Sequence, residues 1–178
     1  MSVQSVMFAL HESKLYESKL DSIQNTISNS TNAKDLANVG FDLNSLLSNR
    51  VNKVLKPYLN DLLPVMKDLW SPSTNFSWHK EPVVSGWIFS GSKLEFRFKL
   101  RAVWHRSSDL VNLPCVLTLD YDGKSSKFTN PKYTVKRNHE DFWPSKTQIQ
   151  PLFKAITSDK QIQVIAGTVY ELETKRSN

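Results

Sequence analysis

The sequence predicts an α+β fold: an N-terminal helical hairpin, kinked at prolines, followed by a mostly antiparallel sheet of about five strands with one further helix. Three observations carry this. Apolar residues recur at helical spacing through the first seventy positions. From Val83 onward the pattern changes to strict alternation, with turn residues between the runs. Composition and charge change at the same place, Ser71-Pro72-Ser73-Thr74-Asn75, which marks the joint between a 1–70 helical segment and a 71–178 β-rich part of one compact domain.

Residues 2–28 read as the first helix. Tyr16, Leu20, Ile23 and Ile27 share one face, and Val3, Val6 and Leu10 form a similar stripe earlier. The Ser/Asn/Thr run from Ser28 to Asn32 reads as a loop. Asp42 is a good N-cap for the second helix. Leu43, Leu47, Val51, Val54, Tyr58, Leu62, Val65 and Leu69 then form a long apolar seam. Pro57 and Pro64 interrupt it, so this helix is expected to kink or split.

Val83–Phe89 and Lys93–His105 read as a hairpin closed by Ser90-Gly91-Ser92. In the second run Leu94, Phe96, Phe98, Leu100, Ala102 and Trp104 point one way. Lys93, Glu95, Arg97, Lys99, Arg101, Val103 and His105 point the other. A second hairpin joins Cys115–Tyr121 to Lys127–Lys136 through Asp122-Gly123. Pro131 places the returning strand at an edge or a bulge. Residues 145–157 read as a helix capped by Ser145, and 162–172 as a final strand.

The chain has 178 residues and one cysteine, Cys115. That excludes an intrachain disulfide and the cysteine-rich zinc sites. Together with the lack of a basic, long apolar leader it predicts a cytoplasmic, soluble protein without membrane segments. No P-loop, Gly-x-Gly-x-x-Gly or Gly-x-Ser-x-Gly motif is present, so no cofactor is expected.

The net charge of +6 lies wholly in the second part. Residues 1–70 hold seven Lys/Arg and seven Asp/Glu, while 71–178 hold sixteen and ten. Fifteen of the nineteen aromatics also lie from Trp70 onward. This asymmetry suggests an anionic partner, nucleic acid or an acidic protein surface. The candidate binding residues are Lys93, Arg97, Lys99, Arg101, His105 and Arg106 on the basic strand, and Lys124, Lys127, Lys132, Lys136 and Arg137 on the second hairpin. No acidic residue occurs from Gly123 to Asn138. Trp104 and Tyr133 lie nearby in sequence, and cations interleaved with aromatics suit single-stranded nucleic acid.

The expected function is therefore a non-enzymatic binding protein. One alternative is an accessory or inhibitory protein-interaction factor, with the helical segment available for a homodimer contact. The other is a metal-dependent nuclease using Asp120 and Asp122, or His139, Glu140 and Asp141. Turn chemistry accounts for Asp122 without a metal. Trp78-His79 and Phe142-Trp143-Pro144 read as aromatic loops, either pinned to the core or anchoring a partner.

Overall fold

The structure is a computed structural model that describes residues 2–78 and 83–178. Two long helices, α1 (Val3–Asn29) and α2 (Ala33–Trp70), precede five strands: β1 (Asn75–Trp78), β2 (Val83–Phe89), β3 (Lys93–Arg106), β4 (Asp109–Asp122) and β5 (Lys127–Val135). A 3-10 turn (Arg137–Phe142) leads to α3 (Lys146–Ser158) and α4 (Lys160–Ser177). The expected α+β class and antiparallel sheet are both present.

β3 and β4 form a fourteen-residue hairpin, paired from Lys93↔Asp122 to Arg106↔Asp109. Its turn needs Ser107 at positive φ, and Arg106 grips Asp109 through two hydrogen bonds of 3.1 and 2.9 Å. β5 pairs with β4 and closes one edge. The other side of β3 is shared: β2 covers its first half and β1 its second.

Five strands were expected, but the membership differs. β1 lies in the stretch assigned to the joint and a loop, because four residues are too few to show alternation. The expected strand at 162–172 is helix α4. Its β-branched residues suggest a strand, yet Ile162, Ile165, Ala166, Val169 and Leu172 are the buried apolar ones, with Thr168 beside them, a spacing only a helix satisfies. Asp159 caps it by accepting from the Ile162 amide at 3.0 Å.

Two further expectations need correction in α2. The helix begins at Ala33, not Asp42, with Asn32 accepting from the amides of Lys34 and Asp35. It also runs as one helix through Pro57 and Pro64, so the prolines do not split it. Both prolines are exposed, so the carbonyls they leave without an amide donor lie on the solvent side. The buried face changes along the helix. It follows the expected seam through Leu43, Leu47 and Val51, then moves to Leu55, Leu59, Leu62 and Met66, leaving Tyr58 and Leu69 exposed.

One hydrophobic core joins the two parts of the chain. It takes Leu20, Ile23 and Ile27 from α1, the buried face of α2, Leu94, Phe96, Phe98, Leu100 and Ala102 of β3, and Ile165, Val169 and Leu172 from α4. Phe96 and Phe98 sit fully buried at its centre. The expected phase of β3 is therefore correct. Gly123 in the β4–β5 turn is required by a close approach, since a Cβ there would collide with the Tyr170 ring of α4. Gly91 does adopt the positive φ its hairpin demands. Pro131 lies on the edge strand β5, where the register with β4 shifts after Asn130, itself at positive φ.

Candidate functional site: an open cationic sheet face

Among the described residues the helices cover one face of the sheet and leave the other open, except at Val103, which is buried. Alternation along three paired strands decides what that open face carries. From β3 come Lys93, Glu95, Arg97, Lys99, Arg101, Val103 and His105. In β4 the inward set is Leu113, Cys115, Leu117, Leu119 and Tyr121, so Pro114, Val116, Thr118, Asp120 and Asp122 face outward. β5 adds Lys127, Thr129, Lys132 and Thr134 through its register with β4.

The rows across the face follow from that register. Arg101 lies beside Pro114. Lys99 lies beside Val116 and then Thr134, and Arg97 beside Thr118 and then Lys132. Glu95 lies beside Asp120 and Thr129, and Lys93 beside Asp122 and Lys127. Neighbouring strands are about 4.8 Å apart and same-face residues about 7 Å apart along a strand. Arg97, Lys99, Arg101 and Lys132 thus form one cationic field about 10 by 14 Å, with short uncharged side chains between them.

The adjoining rows are mixed in sign. Glu95 and Asp120 stand directly opposite one another, an unfavourable like-charge pair. Each has a compensating neighbour: Arg97 Nε donates to Glu95 at 3.0 Å, and Asn130 Nδ2 donates to Asp120 at 3.0 Å. Lys99, Arg101 and Lys132 have no ion-pair partner among the described residues.

The eleven candidate cations divide accordingly. Lys93, Arg97, Lys99, Arg101, His105, Lys127 and Lys132 share the open face, with His105 held by Ser77 Oγ at 2.8 Å. Arg106 does not join them. It lies on the phase of Trp104, over whose ring its guanidinium sits at 5.6 Å, and it is tied to Asp109. Lys124 belongs to the β4–β5 turn, where its amide donates to Asp122 at 2.9 Å. That contact, more than any other, holds the Asp122 carboxyl below its ordinary range. Lys136 and Arg137 lie exposed just beyond β5, leading into the 3-10 turn.

The aromatics are not interleaved with the cations. Trp104 packs against Trp70 and Phe142 on the helix side. Tyr133 also faces that side and donates to the Pro144 carbonyl at 3.0 Å; burial pushes its phenol upward. Trp78 ends β1 with Nε1 on the Leu59 carbonyl at 3.0 Å, while His79 lies outside the described residues. Phe142, Trp143 and Pro144 are buried and pin their loop to the core.

The acidic clusters are also separated. Asp120 and Asp122 pair with the start of β5, whereas His139, Glu140 and Asp141 follow its end. Six to eight residues of extended chain, about 20–26 Å, separate those rows from the end of β5. Among the described residues no three His, Cys, Asp or Glu side chains converge as a metal-binding group. Burial, with Lys136 nearby, lowers the His139 pKa. Cys115 is a buried thiol pushed up by desolvation, which suits packing and not nucleophilic chemistry.

The sequence pattern of β4 could have revealed the outward residues between the cations, because Leu113, Cys115, Leu117, Leu119 and Tyr121 alternate as cleanly as β3 does. Among the described residues no helix is long and apolar enough to cross a membrane. No known family, curated protein or solved structure matches the chain. The class of the protein is therefore defined by its own architecture, an α+β fold with a one-sided sheet.

Proposed function

We propose that this chain is a non-enzymatic binding protein that docks an acidic protein surface on the open face of its sheet. The observation that carries the reading is the field of Arg97, Lys99, Arg101 and Lys132 on a face that no helix covers. Charged side chains on such a face steer association and select for opposite charge.

Two features favour protein over nucleic acid. Single-stranded nucleic acid is held by aromatic platforms, and the aromatics of this sheet turn into the core. A phosphate backbone running along β3 would also meet Glu95 and Asp120 within the next row. A protein surface can answer mixed rows of charge, and Val116, Pro114 and the methyl groups of Thr118 and Thr134 give it short apolar contacts.

Binding to poly-glutamate and to single- and double-stranded oligonucleotides, measured at ~50 and ~200 mM salt, tests this. Poly-glutamate should bind and weaken more than tenfold across that range if about four charges are neutralised. Arg97→Glu with Arg101→Glu should abolish binding and cost about 1 kcal/mol of stability, from the lost Arg97–Glu95 contact and the added negative charge, while leaving the fold intact. Tighter binding of either oligonucleotide than of poly-glutamate would replace this reading with nucleic-acid recognition. No binding of any probe at ~50 mM salt would remove it.

A further inference from the structure

A second surface lies on the outer edge of β2. Among the described residues this strand pairs only with β3. The direction of its main-chain groups follows from both ends. Val84 turns its amide to Ser48 Oγ at 3.1 Å and its carbonyl to Asn44 Nδ2 at 3.2 Å, so α2 answers the outer edge there. The Ser90 amide turns the other way, to the Lys93 carbonyl at 3.0 Å. Alternation between these points, with the extra residue of the bulge before Gly86, sets the N–H and C=O groups of Trp87 and Phe89 pointing away from β3. The opposite edge of the sheet is guarded. Pro131 has no amide to offer on β5, and Asn130 at positive φ adjoins its break in register. β2 carries neither a proline nor a charged side chain.

Beside this open stretch α2 and β2 flank a cleft of about 440 Å³. Ala37, Gly40 and Phe41 line it from α2, Trp87 from β2 and Arg176 from α4. The Phe41 ring is 74% exposed. Among the described residues Arg176 is the one charged side chain in the lining. It meets Glu173 Oε1 at 3.3 Å, and Trp87 Nε1 donates to the same oxygen at 3.4 Å. The Glu173 side chain is 17% exposed and that of Arg176 45%, so the charge facing solvent here is positive.

We infer that an extended segment of a partner polypeptide adds to β2 as a further strand, setting an apolar side chain between Phe41 and Trp87 and an acidic one on Arg176. The main-chain groups identify the occupant. Free N–H and C=O groups along a strand are answered by another extended chain, whose alternate side chains turn into the cleft. A helix keeps its own main-chain groups bonded internally, and a lipid acyl chain has no donor to offer. A second copy of this sheet would bring its own α2 to an edge where one already stands. The inference does not rest on the cationic face.

Selection of random octapeptides displayed on phage, against the immobilised full chain, tests it. Enriched sequences should alternate apolar residues and carry Asp or Glu. An enriched peptide, synthesised with an amidated C-terminus, should shift the amides of Trp87, Ile88 and Phe89. Methylating its backbone nitrogens on the edge that faces β2 should weaken binding at least tenfold. Phe41→Ala should do the same with Tm unchanged, because that ring is exposed. Lys132→Glu, three strands away, should leave the affinity within about twofold. No enrichment, a peptide indifferent to backbone methylation, or shifts confined to the open sheet face overturns the inference. So does a concentration-dependent dimer of the chain that the peptide dissociates.

Discussion

Arg50 and Asp159 show how one pair of side chains ties distant segments together. Asp159 caps α4 and also accepts two hydrogen bonds from Arg50 of α2, at 2.9 and 2.7 Å. Burial alone would raise the Asp159 pKa, but the Arg50 hydrogen bond and the Ile162 amide outweigh it and the net shift is downward. A carboxylate with a depressed folded-state pKa adds stability that is complete above its ordinary value. That stability is lost as pH falls through the folded value. Thermal unfolding followed from pH 7 down to about pH 2 should therefore show a loss beginning near pH 4. Asp159→Asn should cost about 2 kcal/mol at pH 7 and remove part of that acid dependence. An unchanged pH profile in the variant would deny the pair this role. At the same scale, sequence reading found the Ser145 cap, whose amide donates to Gln148 Oε1 at 3.1 Å. It missed Asn32, because a Ser/Asn/Thr run hides one cap among several polar residues. Leu36 and Val39, both buried, held the signal that the apolar face starts before Asp42.

Among the elements, α2 and α4 separate local preference from packing. Proline disfavours a helix interior by about 3 kcal/mol relative to alanine, so a kink or a split at Pro57 and Pro64 is the expected reading. Burial along thirty-eight residues keeps α2 continuous. Pro57→Ala should restore one backbone hydrogen bond while adding some unfolded-state entropy, for a net gain of about 1–2 kcal/mol. That corresponds to a rise in Tm of about 2–6 °C by calorimetry. A fall in Tm would mean that the proline sets a bend which the core requires. In α4, Val164, Ile165 and Val169 favour a strand individually, and only their spacing relative to Ile162 and Leu172 reveals the helix. β1 carries too few residues for any period, and its pairing with Ala102–His105 depends on the length of β3. These features are set by distant segments, and local pattern does not carry them.

Across the whole molecule, the charge asymmetry and the phase of β3 were legible in the sequence, and together they locate the cationic face. The removal of the aromatics from that face was not, because Trp104 and Tyr133 adjoin cations in sequence but alternate to the opposite side. Nor was the field itself, since placing Lys132 beside Arg97 needs the β4–β5 register and its shift after Asn130. The central claim is that this composite field is the docking surface. Titration of the isotopically labelled protein with poly-glutamate, followed by amide chemical shifts, tests it most directly. The account predicts saturable shifts at Arg97, Lys99, Arg101, Val116, Thr118, Lys132 and Thr134, absent in the Arg97→Glu, Arg101→Glu protein. Shifts confined to α1, α2 or the 3-10 turn, with the open sheet face silent, would contradict it.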